Sequence, residues 1–344
     1  MCQLARHELC KGVCMSLHMD IIGGGALGAA LACIVGNIDR KSLIWSRNEQ
    51  VVSQINDHHS SPYLKDVTLP AYVHATNNLA DMLDADALLI AIPTNALRTV
   101  LAALTQTGMK NDTTLVLCCK GIEKDTLLLP TEIVNDVLPH HQHVALMSGP
   151  NFAHEIAKGQ IAATTLACAD SVVAENLLHC LGGPTFRTYL STDLIGAQLC
   201  GAVKNVLAIA CGIARGRAMG ENAIAMLVTR GIAEIARLVE AKGGDVKTVM
   251  GLSGIGDILL TCSSLSSRNT SLGYALGSGD RLDEAIAKQR GVTEGIHTAQ
   301  SVYHMAEKLN VDMPICNSVY DILYEDEDID EAVHHLLARP LGAE

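Results

Sequence analysis

A lysine inside an apolar stretch is the first residue of this sequence that could do chemistry. Lys204 and its neighbour Asn205 lie within Leu199–Cys211, where nearly every other residue is small or apolar. One interpretation is a side chain that follows an apolar helix and extends its charged end to water. The other is a partly desolvated lysine whose lowered pKa suits proton transfer near neutral pH.

A glycine-rich turn near the amino terminus has the spacing of a dinucleotide-binding motif. The run Gly23-Gly24-Gly25-Ala26-Leu27-Gly28 follows a predicted strand and opens an alanine-rich helix, which is the context that a GxGxxG signal requires. Gly23 permits the tight turn, Gly25 admits a pyrophosphate close to the backbone, and Gly28 lets helix and strand pack closely. The helix N-terminus adds free N–H groups and a partial positive charge. The alternative is a glycine-rich turn with no ligand.

The end of the second predicted strand helps to choose the cofactor. Arg47 follows Gly28 at the distance where an acidic residue would bind the ribose 2′-hydroxyl of NAD. A cation there favours a 2′-phosphate and therefore NADP. The other interpretation is that Arg47 is a surface residue in contact with solvent alone. Glu49 could still accept a hydrogen bond from a ribose hydroxyl.

Polar residues also follow later predicted strands. Lys120 comes directly after one strand, and Gly149 and Asn151 come after another. Because ligands of open parallel sheets bind outside the carboxyl ends of the strands, we expect these loops to border one crevice. A lone lysine after a strand is more often a solvated surface residue.

The last candidate cluster lies in the second half of the chain. Asp257 is a lone acid in a glycine-rich apolar segment and needs a cationic partner there. Ser267, Arg268 and Asn269 follow, and a guanidinium can hold phosphate oxygens in a bidentate way. The alternative is a polar loop with one exposed arginine.

The elements that must position these residues change in character along the chain. Short apolar runs alternate with helical patterns up to Thr192, which predicts a parallel sheet covered by helices. The predicted strands are His18–Ile22, Ser42–Trp45, Tyr72–Ala75, Ala87–Ile92, Thr113–Cys118, His143–Met147 and a late Phe186–Tyr189. The predicted helices are Ala26–Val35, Glu49–Asn56, Asn95–Leu104, Leu129–Val137, Leu194–Gly216, Asn222–Gly243 and Glu294–Leu309.

This pattern predicts an α/β Rossmann-type N-terminal domain with a parallel sheet, followed by an all-helical C-terminal domain. We place the dinucleotide-binding domain at residues 19–192 and the helical substrate and catalytic domain at residues 193–340. Residues 1–18 form an extension to which we assign no function.

Composition narrows the class of protein. The 344 residues carry a formal net charge of −12, which argues against a nucleic-acid coat or a general binder of anionic membranes. The cysteines are scattered through apolar stretches without metal-ligand spacing, so we expect reduced thiols in a cytoplasmic protein and no metal site.

The apolar run from Ile21 to Gly36 is too short and too glycine-rich for a membrane span, so we expect no stable membrane insertion. The apolar helical half could support a homodimer.

Together these segments resemble the NAD(P)-dependent glycerol-3-phosphate dehydrogenase family in its bacterial form. The resemblance extends from Met19 to the region of Leu336, and its ordered combination is far more specific than any single motif. The matching segments are GGGALG, IWSRN, KGIE, SGPNFAHE, LCGAVKNVLAIACGI, NAIAMLVTRGIAEIARL, GLSGIGDILLTCSSLSSRN, VTEG and DMPI.

The resemblance assigns roles to individual residues. It implies a catalytic role for Lys204, Lys120 and Asp257. The implied cofactor contacts are Gly23, Gly25, Ala26, Leu27, Gly28, Arg47, Asn48, Lys120, Ala153, Arg268, Val292 and Glu294. The implied substrate contacts are Lys120, Gly149, Asn151, Lys204, Asp257, Ser267, Arg268 and Asn269.

Three positions depart from the family pattern. Leu27 replaces a common tryptophan, and Asn151 replaces a small hydroxyl residue. Gly24 stands where alanine is usual, and we expect that change only to loosen the turn. These departures affect cofactor affinity and substrate geometry, and they leave the reaction class unchanged.

The resemblance implies reversible NAD(P)H-dependent reduction of dihydroxyacetone phosphate to sn-glycerol 3-phosphate, with a place in glycerophospholipid synthesis. Two alternatives stay open. One is a related two-domain dehydrogenase of another hydroxy acid or polyol, against which Arg268 and Asn269 argue. The other is a non-enzymatic NADP-binding sensor, which has no use for Lys204, Asp257 and Arg268 together.

Overall fold

The computed structural model describes residues 17–36, 41–289 and 293–340 and divides the chain into two compact units. The first unit comprises Met1–Cys119 and Pro130–Leu194, and the second comprises Lys120–Leu129 and Ile195–Glu344. This division differs from the predicted boundary at residue 192 in one segment. Lys120–Leu129 groups with the helical unit because Ile122 and Leu129 are buried in its core. Of the extension at residues 1–18, all but Leu17 and His18 lies outside the described residues.

A single sheet forms the centre of the first unit. Within the described residues its strands are β1 (Met19–Ile22), β2 (Ser42–Trp45), β3 (Val73–Thr76), β4 (Ala87–Ile90), β5 (Thr114–Leu117), β6 (Val144–Ser148), β7 (Ala162–Cys168) and β8 (Phe186–Ser191). Their order is β3-β2-β1-β4-β5-β6-β7-β8. The Rossmann-type sheet is confirmed, and β1, β4 and β5 are buried along their whole length, as a sheet with helices on both faces requires. The edge strand β8 is more exposed, with Tyr189 at 53%.

The predicted parallel sheet contains one antiparallel pair of strands. β7 runs antiparallel to β6, with Ala145 opposite Cys168 and Ser148 opposite Thr165. The sequence analysis did not include β7. Three of its seven residues are alanine, which is depleted in strands, and none is aromatic, so the two threonines alone gave a weak strand signal.

The helices of the first unit begin where the sequence offers a cap or a turn. They are α1 (Ala26–Val35), α2 (Glu49–His58), α3 (Thr94–Thr107), α4 (Pro130–Val137), α5 (Ala153–Ala157) and α6 (Ser171–Leu181). The side chain of Asp170 accepts hydrogen bonds from the N–H groups of Val172 and Val173 and caps α6. Helices α5 and α6 were not predicted, whereas α1 has the predicted bounds.

The second unit is helical, as predicted. Its α-helices are α7 (Leu194–Gly216), α8 (Glu221–Lys242), α9 (Asp257–Ser263), α10 (Arg268–Gly277), α11 (Leu282–Ala287), α12 (Glu294–Leu309), α13 (Pro314–Tyr324) and α14 (Ile329–Leu337). Glycines let α7 and α10 touch along their backbones. A Cβ added at Gly212 would lie 2.2 Å from the Thr270 carbonyl oxygen, and one at Gly273 would lie 2.1 Å from that of Ile209. This contact brings the start of α10 close to the middle of α7.

Helix α7 is the core of the second unit. Among the described residues, it alone is long and apolar enough to cross a membrane by length and composition. In its most apolar window, 83% of the residues are buried inside the protein. Core helices of folded domains meet the same criterion, and the charged Lys204 lies in the middle of this one.

Candidate active site

Two lysines share one buried carboxylate in the second unit. The Lys204 Nζ donates to Asp257 Oδ1 at 2.7 Å, and the Lys120 Nζ donates to Asp257 Oδ2 at 2.5 Å. The Asp257 side chain is 1% exposed, against 9% for Lys204 and 14% for Lys120. The three residues with implied catalytic roles thus form one cluster, although they are far apart in the sequence.

Each member of the cluster comes from a different element. Lys204 lies in the middle of α7, and Lys120 opens the segment that crosses into the second unit. Asp257 is the first residue of α9, and its backbone N–H bonds back to the Gly254 and Leu252 carbonyls. A π-helical turn at Leu252–Gly256 precedes it, so the glycine-rich segment delivers Asp257 to the helix start.

Thr261 completes the surroundings of Lys204. Its Oγ1 accepts from the Lys204 Nζ at 2.8 Å and lies 3.3 Å from Asp257 Oδ1, to which it can donate. The sequence analysis gave Thr261 no role. The available signal was its spacing, because residues four apart on a helix share a face, and Asp257 and Thr261 are such a pair.

The electrostatics of the cluster favour a lysine that can release its proton. Burial lowers the pKa of Lys204, the carboxylate of Asp257 opposes that shift and the positive charge of Lys120 adds to it, and together they bring the pKa to about 8. Burial also opposes the charged form of Asp257. The two lysines outweigh that effect and hold the pKa of Asp257 below its usual range.

The cluster can therefore do two things for an oxygen atom placed beside it. Two ammonium groups against one carboxylate leave an excess of one positive charge in a buried setting, which stabilises negative charge developing on that oxygen. Lys204 can also give that oxygen a proton near neutral pH. The proton-transfer interpretation of Lys204 thus agrees with its buried, hydrogen-bonded position, and the solvated-surface interpretation of Lys120 does not fit its contact with Asp257.

A chain of amide groups lies next to the cluster. Asn269 Nδ2 donates to Asn205 Oδ1 at 2.9 Å, and Asn269 Oδ1 accepts from the Gly295 N–H at 3.0 Å. Asn205 Nδ2 in turn donates to the Lys120 carbonyl oxygen at 3.3 Å. These bonds fix the orientation of Asn269 and link α7, α10 and α12. Asn205 had only been noted as the neighbour of Lys204.

The start of α10 combines positive charge with free backbone donors. Ser267 is the N-cap of the helix, and its Oγ accepts from the Thr270 N–H at 3.3 Å. Arg268 is the first helical residue and its side chain is exposed. An anion can interact there with the guanidinium and with the helix N-terminus, as the sequence analysis expected for a phosphate.

The glycine-rich turn of the first unit fits a cofactor pyrophosphate. Gly23 has a φ of +125°, and a Cβ at Gly28 would lie 1.9 Å from the Gly23 carbonyl oxygen, so both positions require glycine. A Cβ at Gly25 would have nothing within 4 Å, which leaves open space against the backbone. Ala26 and Leu27 begin α1, whose first turn carries neither an acidic residue nor a side-chain cap. Its N–H groups are therefore available to phosphates.

Gly24 also packs closely against the residue that follows β2. A Cβ at Gly24 would lie 2.8 Å from the Ser46 Cβ and 2.9 Å from the Ser46 Oγ. Glycine at this position therefore lets the buried Ser46, at the end of β2, approach the turn closely. In this chain, a larger residue at position 24 would therefore require Ser46 to shift.

The residues assigned to the adenosine side follow β2. Arg47 is exposed directly after Ser46. Asn48 is the N-cap of α2, and its Oδ1 accepts from the Gln50 N–H at 2.9 Å. The Asn48 side chain thus has a structural role, while its amide NH₂ group still has hydrogens to donate to a ligand.

The substrate loop of the first unit follows β6. Asn151 Nδ2 donates to the Thr164 Oγ1 at 2.9 Å, and that oxygen donates to the Ser148 carbonyl at 3.2 Å. Asn151 Oδ1 is buried and accepts no hydrogen bond from the described residues. A ligand group at Asn151 would therefore meet an acceptor. Gly149 lies between Ser148 and this asparagine in the chain, and Ala153 begins α5.

One of the two remaining assigned residues lies in the described part of the second unit. Glu294 is the first residue of α12. Val292 lies outside the described residues. Within the described ranges, no group of three or more His, Cys, Asp or Glu side chains is placed to hold a metal ion.

Comparison with known proteins agrees with this geometry. Residues 18–174 match the family model of the NAD-dependent glycerol-3-phosphate dehydrogenase N-terminus, and residues 193–334 match that of its C-terminus. The chain belongs to this family. The resemblance seen in the sequence is thereby confirmed, and the protein is an oxidoreductase that uses NAD(H) or NADP(H).

Individual relatives cover nearly the whole chain. A glycerol-3-phosphate dehydrogenase [NAD(P)+] from Rhodospirillum rubrum is 45% identical over 95% of this chain and 94% of its own length. One from Parvibaculum lavamentivorans is 45% identical over 94% of this chain and 97% of its own length. The crystal structure of the Coxiella burnetii glycerol-3-phosphate dehydrogenase is 35% identical, has a TM-score of 0.90, and covers 94% of this chain and 100% of its own.

Proposed function

We propose that this protein reversibly reduces dihydroxyacetone phosphate to sn-glycerol 3-phosphate with NADPH or NADH. The single observation that carries the proposal is the pair of lysines on Asp257, in which burial and the neighbouring charges together bring the pKa of Lys204 to about 8. A carbonyl reduction needs a proton for the new hydroxyl and positive charge beside the oxygen during reaction. This cluster offers both.

Different residues bind the cofactor, stabilise the developing charge and transfer the proton. The cofactor, held at Gly23–Gly28, supplies the hydride when bound. As negative charge grows on the carbonyl oxygen, Lys120 and Lys204 stabilise it, and Lys204 Nζ donates the proton that completes the hydroxyl. In the reverse direction, neutral Lys204 accepts that proton. Asp257 holds both amines at 2.5–2.7 Å and fixes where they point.

The start of α10 binds the phosphate of the substrate. Arg268 interacts with its oxygens, and Ser267 and Asn269 keep the helix N-terminus in place through the bonds described above. Gly149 and Asn151 belong to the loop to which the family relationship gives a role in substrate binding, and Asn151 Oδ1 is an acceptor there without a partner among the described residues. Holding the phosphate fixes the reacting carbon for the chemical step.

The wider setting also belongs to this proposal. We place the reaction in the cytoplasm, where its product supplies glycerophospholipid synthesis, as the family relationship implies. We also propose that the protein acts without stable membrane insertion and forms a homodimer. The burial of most of α7 within its own unit supports the first of these statements.

The test of the function is a substrate-dependent oxidation assay. Purified protein is mixed with dihydroxyacetone phosphate, and loss of NADPH absorbance is followed, then loss of NADH absorbance. Oxidation that requires this substrate and yields glycerol 3-phosphate supports the proposal. Protein that binds NADPH but oxidises it only with another hydroxy-acid or polyol precursor would replace the substrate assignment.

We expect Arg47→Ala to weaken NADPH more than NADH. The exposed guanidinium after β2 can pair with a 2′-phosphate, which NADH lacks. Removing such a charge-assisted contact raises the KM for NADPH by roughly tenfold. The measurement is the ratio of kcat/KM for the two cofactors. An unchanged ratio would remove the case for a preference for NADP.

We expect Arg268→Ala to raise the KM for dihydroxyacetone phosphate by roughly 10–100-fold, because a bidentate contact to phosphate is lost. The comparison substrate is dihydroxyacetone, which lacks the phosphate and should lose much less. Equal losses with both substrates would contradict the role of Arg268 as the phosphate anchor.

A further inference from the structure

Lys120 belongs to a segment that the helical unit holds by its backbone. Ile122 and Leu129 are buried in the core of that unit, at 2% and 0% exposure. Two carbonyl oxygens at the start of the segment accept side-chain hydrogen bonds. The Lys120 carbonyl accepts from Asn205 Nδ2 of α7, and the Ile122 carbonyl accepts from Ser301 Oγ of α12 at 3.2 Å.

Ser301 is a completely buried hydroxyl for which the mechanism has so far found no use. Its side chain is 0% exposed, and its Oγ also lies 3.3 Å from the His297 carbonyl one turn earlier in α12. A buried serine in a helix commonly makes only that second kind of bond, to its own helix. The bond to Ile122 is different because it joins residues 179 positions apart in the chain.

We propose that Ser301 is a positioning residue for Lys120, and that its bond to the Ile122 carbonyl sets where the Lys120 amine meets Asp257. The proposal rests on the proposed function, since it concerns the same reaction. Its geometric basis is the short path from Ser301 through Ile122 and Gly121 to Lys120. A backbone shift at Ile122 moves the start of a long lysine side chain that must end within 2.5 Å of the Asp257 Oδ2.

The position of Lys120 matters for Lys204 as well as for the substrate. The charge of Lys120 lowers the pKa of Lys204, and Lys120 shares the carboxylate that raises it. When Lys120 moves away from Asp257, it repels the charge of Lys204 less and no longer shares the carboxylate, and both changes raise the pKa of Lys204. Ser301 should therefore influence the pH dependence of turnover, which a merely structural residue would not do.

The test compares Ser301→Ala with a matched variant on the same helix. Thr298 is also buried, and its Oγ1 donates to the Glu294 carbonyl at 2.9 Å within α12, so Thr298→Val removes a buried hydroxyl without touching the Lys120 segment. We expect Ser301→Ala to lower kcat by roughly tenfold, the loss from one misplaced interaction. The alkaline limb of kcat/KM should move to higher pH in Ser301→Ala and stay in place in Thr298→Val.

A double-mutant cycle with Lys120→Met separates positioning from general damage. If Ser301 acts through Lys120, then adding Ser301→Ala to Lys120→Met should change neither kcat nor the pH profile further. An equal loss in both backgrounds, or equal losses in Ser301→Ala and Thr298→Val, would overturn the proposal. Thermal unfolding of each variant shows whether the protein is folded in the assay.

A measurement that needs no turnover distinguishes this proposal from the proposed function. Lys120 is acetylated with acetic anhydride, and the rate is read from its peptide by mass spectrometry. We expect faster acetylation of Lys120 in Ser301→Ala than in the unchanged protein or Thr298→Val, because the amine leaves Asp257 more often. Unchanged acetylation would refute the positioning role even if the protein reduces dihydroxyacetone phosphate. Faster acetylation in a protein that does not reduce it would refute only the function.

Discussion

Lys204→Ala should abolish turnover while the protein still binds NADPH. The amine is the proton donor in the proposed mechanism, and loss of a positioned general acid costs roughly 10²–10⁴-fold in rate. The substitution lies in α7 of the second unit, whereas the glycine-rich turn that fits the cofactor lies in the first. The measurement is kcat for dihydroxyacetone phosphate beside NADPH binding followed by fluorescence.

Two further variants sharpen this result. Lys204→Arg keeps the positive charge but cannot release a proton near neutral pH, so it should remain strongly impaired. Lys308→Ala removes an exposed lysine from α12 and should leave turnover unchanged. Recovery of activity in Lys204→Arg would show that Lys204 supplies charge alone. Loss of NADPH binding in Lys204→Ala would contradict its assignment to proton transfer.

In the unchanged protein, the ionisation of Lys204 should be visible in the pH dependence of kcat/KM. Because Lys204 has a pKa of about 8, its protonated form is present below that pH and is lost above it. Reduction requires the protonated form, so kcat/KM for reduction should fall as the pH rises through about 8. Oxidation of glycerol 3-phosphate requires the neutral amine, so its rate should rise through the same range. If the rates of reduction and of oxidation both rise, or both fall, as the pH increases through this range, Lys204 does not have this role.

Local signals in the sequence were strong enough to predict much of the fold. The glycine turn, α1, α7 and α12 all have the predicted bounds because each joins a clear apolar pattern to a clear start or end. β7 was missed because its three alanines weaken the strand signal of its two threonines, and pairing with β6 and β8 decides its structure. Its antiparallel direction is a tertiary property that periodicity cannot give.

The sequence was sufficient to identify several residues of the candidate site, but not to predict which residues they contact. Lys204 and Asp257 stood out because each is a charge in an apolar segment, and the structure pairs them as such charges require. Lys120 can share this carboxylate because Lys120–Leu129 groups with the helical unit and not with the sheet unit. The composition of that segment gives no sign of this grouping. Thr261, Asn205 and Ser301 are ordinary polar residues whose importance comes only from what they contact.

Asp257→Asn should be the most damaging single change for stability and activity together. The carboxylate is 1% exposed and faces two ammonium groups. Its loss leaves two positive charges close together without an anion, and removing one partner of a buried ion pair costs about 3–5 kcal/mol. The pKa of Lys204 should fall further, because Asp257 is the group that raises it. We therefore expect a lower Tm, turnover reduced by at least about 100-fold, and an alkaline limb at lower pH.

A control and a rescue make this expectation specific to the buried cluster. Asp312 pairs with Arg339 at 2.6 Å, but its side chain is 59% exposed, so Asp312→Asn should cost at most about 1 kcal/mol and leave turnover unchanged. Lys120→Met added to Asp257→Asn removes the repulsion between the lysines and should restore part of the Tm without restoring turnover. If the double variant is no more stable than Asp257→Asn, charge repulsion is not what destabilises it. The buried carboxylate would then contribute through its hydrogen bonds alone.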